Sequence, residues 1–500
     1  MTPPLSDGGA AEPMPEMGGF LTDMEPAEFR ALAHTTVDQI ADYLERLPSL
    51  PPLSRAQPGE LASALPLEAP LQGEPMDQIL RDVDRLLLPG ITHWAHPRFF
   101  AYFTSSGSAA GILGEMLTAG LNVNAMLWRT SPAATELEFV VCRWLARMMG
   151  LPDNFDGHIN DTASASTLVA LAAAREALGR DIRQRGMSGR PELPQIVVYA
   201  SVQAHSSVEK AVITLGLGRD GFRRVPVDSE FRMDALALRR LVDEDLARGL
   251  LPVAVVATVG TTATTSIDPV SEIAEICAEY HLWLHVDAAH GGAMAVVPEW
   301  RGVLAGTELA DSLVVNPHKW LFTQLDCSVL YTSRPEVLKQ AFSLVPEYLA
   351  TPEAGRESGF GARNLMDFGV SLGRRMRALK LWFVLRHHGQ EGLAQLIRQH
   401  VQMAHWLRGR IRITPGWELC APVPMATVCF RHLPPGVVDE ALLTAHNREI
   451  MARVNQGGEA FISHAVLGDR FVLRAAVGNI RTQPEDVAAL WDALQKAAAG

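Results

Sequence analysis

Hydrophobic and polar positions along this 500-residue chain follow two periods, and the switches between them mark the elements. PAEFRALAHTTVDQIADYLERL spaces Phe29, Leu32, Val37, Ile40 and Leu44 as on one helical face. PMDQILRDVDRLLLPG repeats the pattern with Ile79, Val83, Leu86 and Leu87, and Gly90 ends it. The proline-rich LPSLPPLSRAQPGEL between them reads as an extended linker. Neither helix is long enough to form a core alone, so each is expected to pack elsewhere on the protein or on a partner subunit. In the middle of the chain, helices alternate with short apolar runs. SPAATELEFVVCRWLARMMG opens with Ser131 as N-cap and Pro132 at the first helical position. TASASTLVALAAAREALG is a further helix, and others start near Ser206 and Pro269. The runs QIVVYAS, PVAVVATVG, WLHVDAA, SLVVNP and CSVLYTS show little alternation, which predicts strands buried on both faces. Strands alternating with helices predict an α/β fold with a mainly parallel sheet and helices on both faces. From about residue 375 the pattern changes to two long helices, then WELCAP, ATVCFRHL, a helix near 438–455, AFISHAVLG, RFVLRAAVG and a last helix. The expected organisation is a flexible tail over residues 1–24, an N-terminal helical segment over 25–108, a large domain over 109–375 and a small α+β domain over 376–500.

Composition narrows the class. Apolar residues make up 48% and charged residues 20%, enough for a full core. Lysine and arginine number 44 against 56 acids, a net charge of −12, so the footprint of a nucleic-acid binder is missing. Cys142, Cys277, Cys327, Cys420 and Cys429 form no CxxC pair, which argues against a disulfide framework or a thiolate metal site and for a reducing compartment. The first residues lack the basic and apolar parts of a signal peptide. No apolar run approaches the roughly 18 residues of a membrane span. The expectation is a cytoplasmic protein with neither nucleic acid nor membrane as partner and no metal.

The candidate chemistry centres on NPHKW. Lys319 follows the apolar run SLVV, so it sits just past the carboxyl end of a strand, where ligands bind in parallel sheets. Asp287 ends WLHV in HVDAAHGG. Alone it is a metal ligand, a cap or half of an ion pair, but no second carboxylate supports a metal. A lysine and an acid, both at strand ends, suit pyridoxal phosphate (PLP): the amine takes the aldehyde as a Schiff base, and the carboxylate keeps the ring nitrogen protonated. His205, in QAHSSVEKA, is a capping or core histidine or an imidazole stacked on the cofactor ring. The hydroxyl-rich helix start in NDTASASTLVAL caps a helix or cradles a phosphate. The threonines of VATVGTTATTSID follow a strand and can offer hydroxyls to a cofactor.

HWAHPRFFAYF, SPAATELE, QAHSSVEKA, VATVGTT, LHVDAA, NPHKW, LGRRMRALKLWFV and FVLR occur in one order. Together they resemble the aromatic-L-amino-acid decarboxylase family, the group II PLP-dependent decarboxylases, from about Pro26 to the C-terminus. The resemblance implies the type I PLP fold and a homodimer whose active sites lie at the interface, with the N-terminal helices wrapping the partner. It implies that Lys319 carries the cofactor, Asp287 pairs with the ring nitrogen and His205 stacks on the ring. Ala163 and Ser164 hold the phosphate with Asn316 assisting, His318 belongs to the same shell, and Thr262 lies by the cofactor. Trp94, Tyr102, Phe103 and Ser105 match the substrate pocket, Ser105 on the carboxylate side. The implied reaction is decarboxylation of an L-amino acid, aromatic substrates being the expected class, to an amine and CO2.

Two stretches depart from the resemblance. The family places a proton-donating tyrosine in a loop before LGRR, and NLMDFGVSLGRR has Leu365 at the aligned position. Tyr348, the nearest upstream tyrosine, aligns with a different tyrosine of the family. Leucine donates no proton, which opens a second expectation, an aldehyde synthase that decarboxylates and oxidatively deaminates. A third is a catalytically weak protein retained for binding or assembly. In LNVNAMLW, Asn124 and Met126 stand where the family has Ile and Phe contributed from the neighbouring subunit, which points to an altered pocket.

Overall fold

The computed structural model describes residues 23–344 and 362–499. The expected tail over 1–24 therefore lies outside the described residues except for Asp23 and Met24, as does Tyr348. The chain divides into two compact units, one made of Met1–Arg46 and Arg55–Ile91, the other of Leu47–Ser54 and Thr92–Gly500. The expected divisions at 108/109 and 375/376 both fall inside the second.

In the first unit, the helix Pro26–Arg46 buries none of its residues. The helix Met76–Asp82 runs on through a wider π turn, Val83–Leu87, and a 3-10 turn to Gly90. The two are tied by the Gln39 amide donating to the Leu80 carbonyl at 3.3 Å and by the Arg46–Asp84 ion pair at 3.2 Å.

The second unit holds two sheets. The larger has seven strands: β1 (Asp156–Asn160), β2 (Ile196–Ser201), β3 (Phe222–Val225), β4 (Leu251–Thr258), β5 (Trp283–Asp287), β6 (Ser312–Val315) and β7 (Ser328–Thr332), in the order β1-β7-β6-β5-β4-β2-β3. The five strands from β6 to β3 are parallel, and β7 runs against both neighbours. Every residue of β2 and β5 is buried, as the unalternating apolar runs predict. Helices Pro132–Met149 and Ala163–Ala177 cover the sheet, the first capped by the Ser131 hydroxyl accepting from the Ala134 N–H. Gly291, just after β5, would place a Cβ 2.4 Å from the Val259 carbonyl oxygen, so the Gly-Gly of HVDAAHGG lets this turn pass against β4.

The smaller sheet is antiparallel, β8 (Trp417–Leu419), β9 (Thr427–His432), β10 (Ser463–Leu467) and β11 (Arg470–Ala476), in the order β10-β11-β9-β8. Helices Glu440–Gly457 and Pro484–Ala499 accompany it. The two long helices expected after residue 375 form one run, Ala378–Ile413, broken at Gly389 where φ is 60° and ψ 177°. The elements that escape the sequence reading include β1, β3 and the helices Ala109–Leu121, Ala235–Ala247 and Pro335–Phe342.

Candidate active site

The ends of β5 and β6 bring the first two residues together. Asp287 closes β5 beside Thr258 of β4 and Val314 of β6; it is buried, and one carboxylate oxygen accepts from the Ala289 N–H at 3.1 Å. The turn after β6 carries Asn316, His318 and Lys319, with the Lys319 N–H donating to the Asn316 carbonyl at 3.0 Å. Lys319 is half-buried, and its amine stands 5.3 Å from the centre of the Phe103 ring. Burial holds that amine below the usual lysine pKa; Asp287 pulls it back up, and Arg474 adds to the lowering.

A cavity of about 500 Å3 is lined by Tyr102, Phe103, His205, Thr262, Lys319 and Arg474, among others. A larger one, about 750 Å3, opens beside Asp268 and Arg408 and contains none of the predicted residues. The smaller cavity is the candidate site because an amine, an imidazole and a guanidinium converge there. His205 Nδ1 accepts from the Ser207 N–H at 3.1 Å and lies 2.8 Å from its hydroxyl, which leaves the ring proton on Nε2. Burial lowers the His205 pKa against the opposing pull of Asp287, so the ring is neutral at pH 7. Thr262 alone of its neighbours faces the cavity with a free hydroxyl: those of Thr261, Thr264 and Ser266 are linked to one another at 3.0 and 2.8 Å.

His318 Nδ1 accepts from the Cys327 N–H at 2.9 Å, so its Nε2 carries the proton and faces the Asn316 amide 3.2 Å away. That pairing needs the Asn316 oxygen toward His318. The other end of this buried amide, its NH2, is then left without a partner among the described residues. Ala163 and Ser164 open the helix Ala163–Ala177, with Ser164 exposed.

Sequence reasoning missed Arg474, quoted only as part of FVLR. It lies on β11, nearly fully buried, with its guanidinium 4.7 Å from the Phe103 centroid. It donates to the Ala263 and Tyr102 carbonyls at 3.0 and 2.7 Å, and its second terminal nitrogen has no partner among the described residues. The bond to Tyr102 also steadies a tyrosine whose φ is 52°, a strained value for a bulky residue. A cation on an apolar strand of another sheet carries no local signal of its target.

Trp94 stacks on Tyr102 at 5.9 Å, and Ser105 is half-buried beyond them. Asn124, Met126 and Leu365 are brought together elsewhere. The Asn124 side-chain oxygen accepts from the Arg374 N–H at 3.0 Å, and the Met126 carbonyl accepts from the Met366 N–H at 3.1 Å. Leu365 is 1% exposed and opens a 3-10 turn, Leu365–Phe368, in which Met366 packs on Met126 and Leu127. None of the three lines the cavity of its own chain.

Residues 58–433 match the family described as pyridoxal-dependent decarboxylase conserved domain. The chain belongs to this family. It is 40% identical over 486 residues to tyrosine decarboxylase 4 of Petroselinum crispum, covering 95% of this chain and 94% of that one. It is 39% identical over 486 residues to a phenylacetaldehyde synthase of a Rosa hybrid cultivar, covering 94% of each. Among solved structures, an Oryza sativa TDC with PLP and tryptamine superposes with a TM-score of 0.91 at 36% identity, over 96% of this chain and 99% of that one. The protein is thus a group II PLP-dependent decarboxylase with the type I fold.

The site's own chemistry fits the cofactor. Among the described residues, Lys319 offers an amine with no hydrogen bond, Asn316 a buried amide atom without a partner, and Asp287 a buried carboxylate at the end of β5. When bound, PLP supplies an aldehyde for an amine and a ring that accepts the electron pair left by a bond broken at the substrate α-carbon.

Proposed function

We propose that this chain decarboxylates an aromatic L-amino acid to the corresponding amine and CO2, in a homodimer. The observation that carries the reading is the convergence of Lys319, His205, Thr262, Phe103 and Arg474 on one cavity within electrostatic reach of Asp287. Lys319 is the covalent anchor, and its lowered pKa raises the fraction of free amine near neutral pH. Asp287 would pair with the ring nitrogen of the cofactor, and the imidazole of His205 would hold its ring. Ala163, Ser164, Asn316 and His318 take the phosphate side. Phe103, Tyr102, Trp94 and Ser105 form the substrate side. The unpaired nitrogen of Arg474 holds the substrate carboxylate.

A proton must reach the α-carbon after CO2 leaves. Leu365 was aligned with the donor, but its buried turn makes it part of a packed wall. Of the tyrosines in the second unit, Tyr199, Tyr280 and Tyr331 donate to Asp245, Asp243 and the Cys142 carbonyl. Tyr102, on the cavity, is the phenol of that unit placed for the task among the described residues, and Tyr348, outside them, is the other candidate. The aldehyde-synthase reading keeps one support, since a phenylacetaldehyde synthase matches almost as closely as a tyrosine decarboxylase.

The homodimer rests on the resemblance and on two features of the chain. The helix Ala109–Leu121 exposes Leu113, Met116, Leu117 and Leu121 along one face. It leads directly into Asn124 and Met126, which reach no cavity of their own chain and so are placed to serve a partner's. Five free cysteines fit a cytoplasmic setting, and no helix among the described residues is long and apolar enough to cross a membrane.

The test is the spectrum and the products of the purified protein. Visible absorbance fixed by borohydride on Lys319, with amine and CO2 from an aromatic amino acid, is the expected result. Aldehyde with peroxide and ammonia from the unaltered protein would replace the amine reading with the synthase. Tyr102→Phe and Tyr348→Phe identify the donor: the one that matters shifts the product from amine toward aldehyde.

A further inference from the structure

HVDAAHGG holds one more residue of consequence. His290 is buried, with its ring 3.8 Å from that of Phe103 and inclined by only 12°. On the other side it stacks on Trp320, the residue after Lys319, at 4.9 Å and 6°. Trp320 donates its indole N–H to His400 Nδ1 at 3.0 Å, and His400 donates from Nε2 to the Asn479 carbonyl at 3.0 Å. The Asn479 amide then donates to the carbonyls of Trp94 and His96 at 3.1 and 2.8 Å. One continuous ladder therefore runs from Phe103 to Trp94, both in HWAHPRFFAYF, through the residue beside the anchoring lysine.

We propose that His290 is a positioning residue for the aromatic substrate pocket: it is the flat plate that fixes the plane of Phe103, the wall beside which the Lys319 amine and the Arg474 guanidinium stand. This rests on the reading of the substrate as aromatic. The stack explains why a buried imidazole is tolerated although its Nδ1 has no hydrogen-bond partner among the described residues, a situation that ordinarily destabilises. What the position uses is the ring's flatness and thickness. An aliphatic side chain of similar volume would leave Phe103 free to rotate about χ2 and would change the cavity's width where the substrate ring enters. Burial keeps the imidazole neutral, so no third cation opposes Lys319 and Arg474.

The experiment compares His290→Phe, His290→Leu and His290→Ala in the cofactor-loaded enzyme. It reads kcat, KM and the inhibition constant of the aromatic amine product. Loss of one aromatic stack predicts that KM and the inhibition constant rise together by about 3- to 10-fold in the Leu and Ala variants. Cofactor absorbance and kcat should stay close to those of the unaltered enzyme, and His290→Phe should restore both constants. If the Ala variant fails to fold, the Leu variant carries the test. Because the plate acts through Phe103, the double variant His290→Leu/Phe103→Leu should be no worse than Phe103→Leu alone. Unchanged constants in the Leu variant, a Phe variant as impaired as Leu, or additive losses in the double variant would each overturn the inference. An unaltered enzyme that decarboxylates only aliphatic amino acids would instead remove the substrate reading beneath it.

Discussion

At the scale of single residues the site is a problem of unpaired cations. Lys319 and Arg474 share a cavity with one buried acid nearby, and the lowered pKa of the lysine records the strain. Without cofactor, such an amine binds fewer protons folded than unfolded between its lowered pKa and the usual value near 10.5. Its contribution to stability therefore rises with pH through that window and is unfavourable below it. Lys319→Met should abolish the visible band, and the cofactor-free variant should melt higher than the cofactor-free parent at pH 7, with the difference shrinking toward pH 10. Thermal unfolding at the two pH values checks the sign. Arg474→Met removes the proposed charged hydrogen-bond donor to the substrate carboxylate and should lower kcat/KM by about 10- to 100-fold, mainly through KM. Steady-state kinetics with intact cofactor absorbance decide it.

At the scale of elements, the segment carrying Asn124 and Met126 is held by the LGRR stretch. Arg374 pairs with Glu138 at 2.9 Å, and both are almost fully buried. The same guanidinium reaches the Ile159 carbonyl, while the Ile159 N–H donates to Glu138 at 3.0 Å. One ion pair thus joins the helix Pro132–Met149, β1 and the start of Ala378–Ile413. Glu138→Ala would leave an uncompensated buried charge and should destabilise the fold by about 3–5 kcal/mol. The more exposed pair Arg375–Glu115 next to it should matter by less than about 1 kcal/mol when broken. Denaturant unfolding of Glu138→Ala and Arg375→Ala measures both.

At the scale of the whole molecule, the proposed homodimer would complete each pocket with residues of the second chain. The cavity gathers Lys319, His205 and Arg474, yet Asn124 and Met126 sit outside it beside an exposed apolar stripe. Leu117→Lys should shift the protein from dimer to monomer in analytical ultracentrifugation and remove activity with it. Mixing subunits gives a second check. Lys319→Ala and Met126→Lys chains, each inactive as homodimers, should recover activity when refolded together, because the mixed dimer contains one intact site.

Local pattern determined much of this. The strands β2, β4, β5 and β6 were legible because burial on both faces selects continuous Val, Ile and Ala runs. The positions of Asp287 and Lys319 followed, since each stands where such a run stops. Family motifs in a fixed order supplied the cofactor. Strand β1, DGHIN, carries no such run; it is a strand because β7 lies against it, and pairing of that kind leaves no periodic mark. Only the tertiary structure decided that Arg474 reaches Phe103 from a second sheet, that His290 fills the space between Phe103 and Trp320, and that Leu365 is wall rather than lid. Each of these depends on contacts between residues far apart in the chain, and a side chain's reach across a fold is set by packing, which no local run of residues encodes.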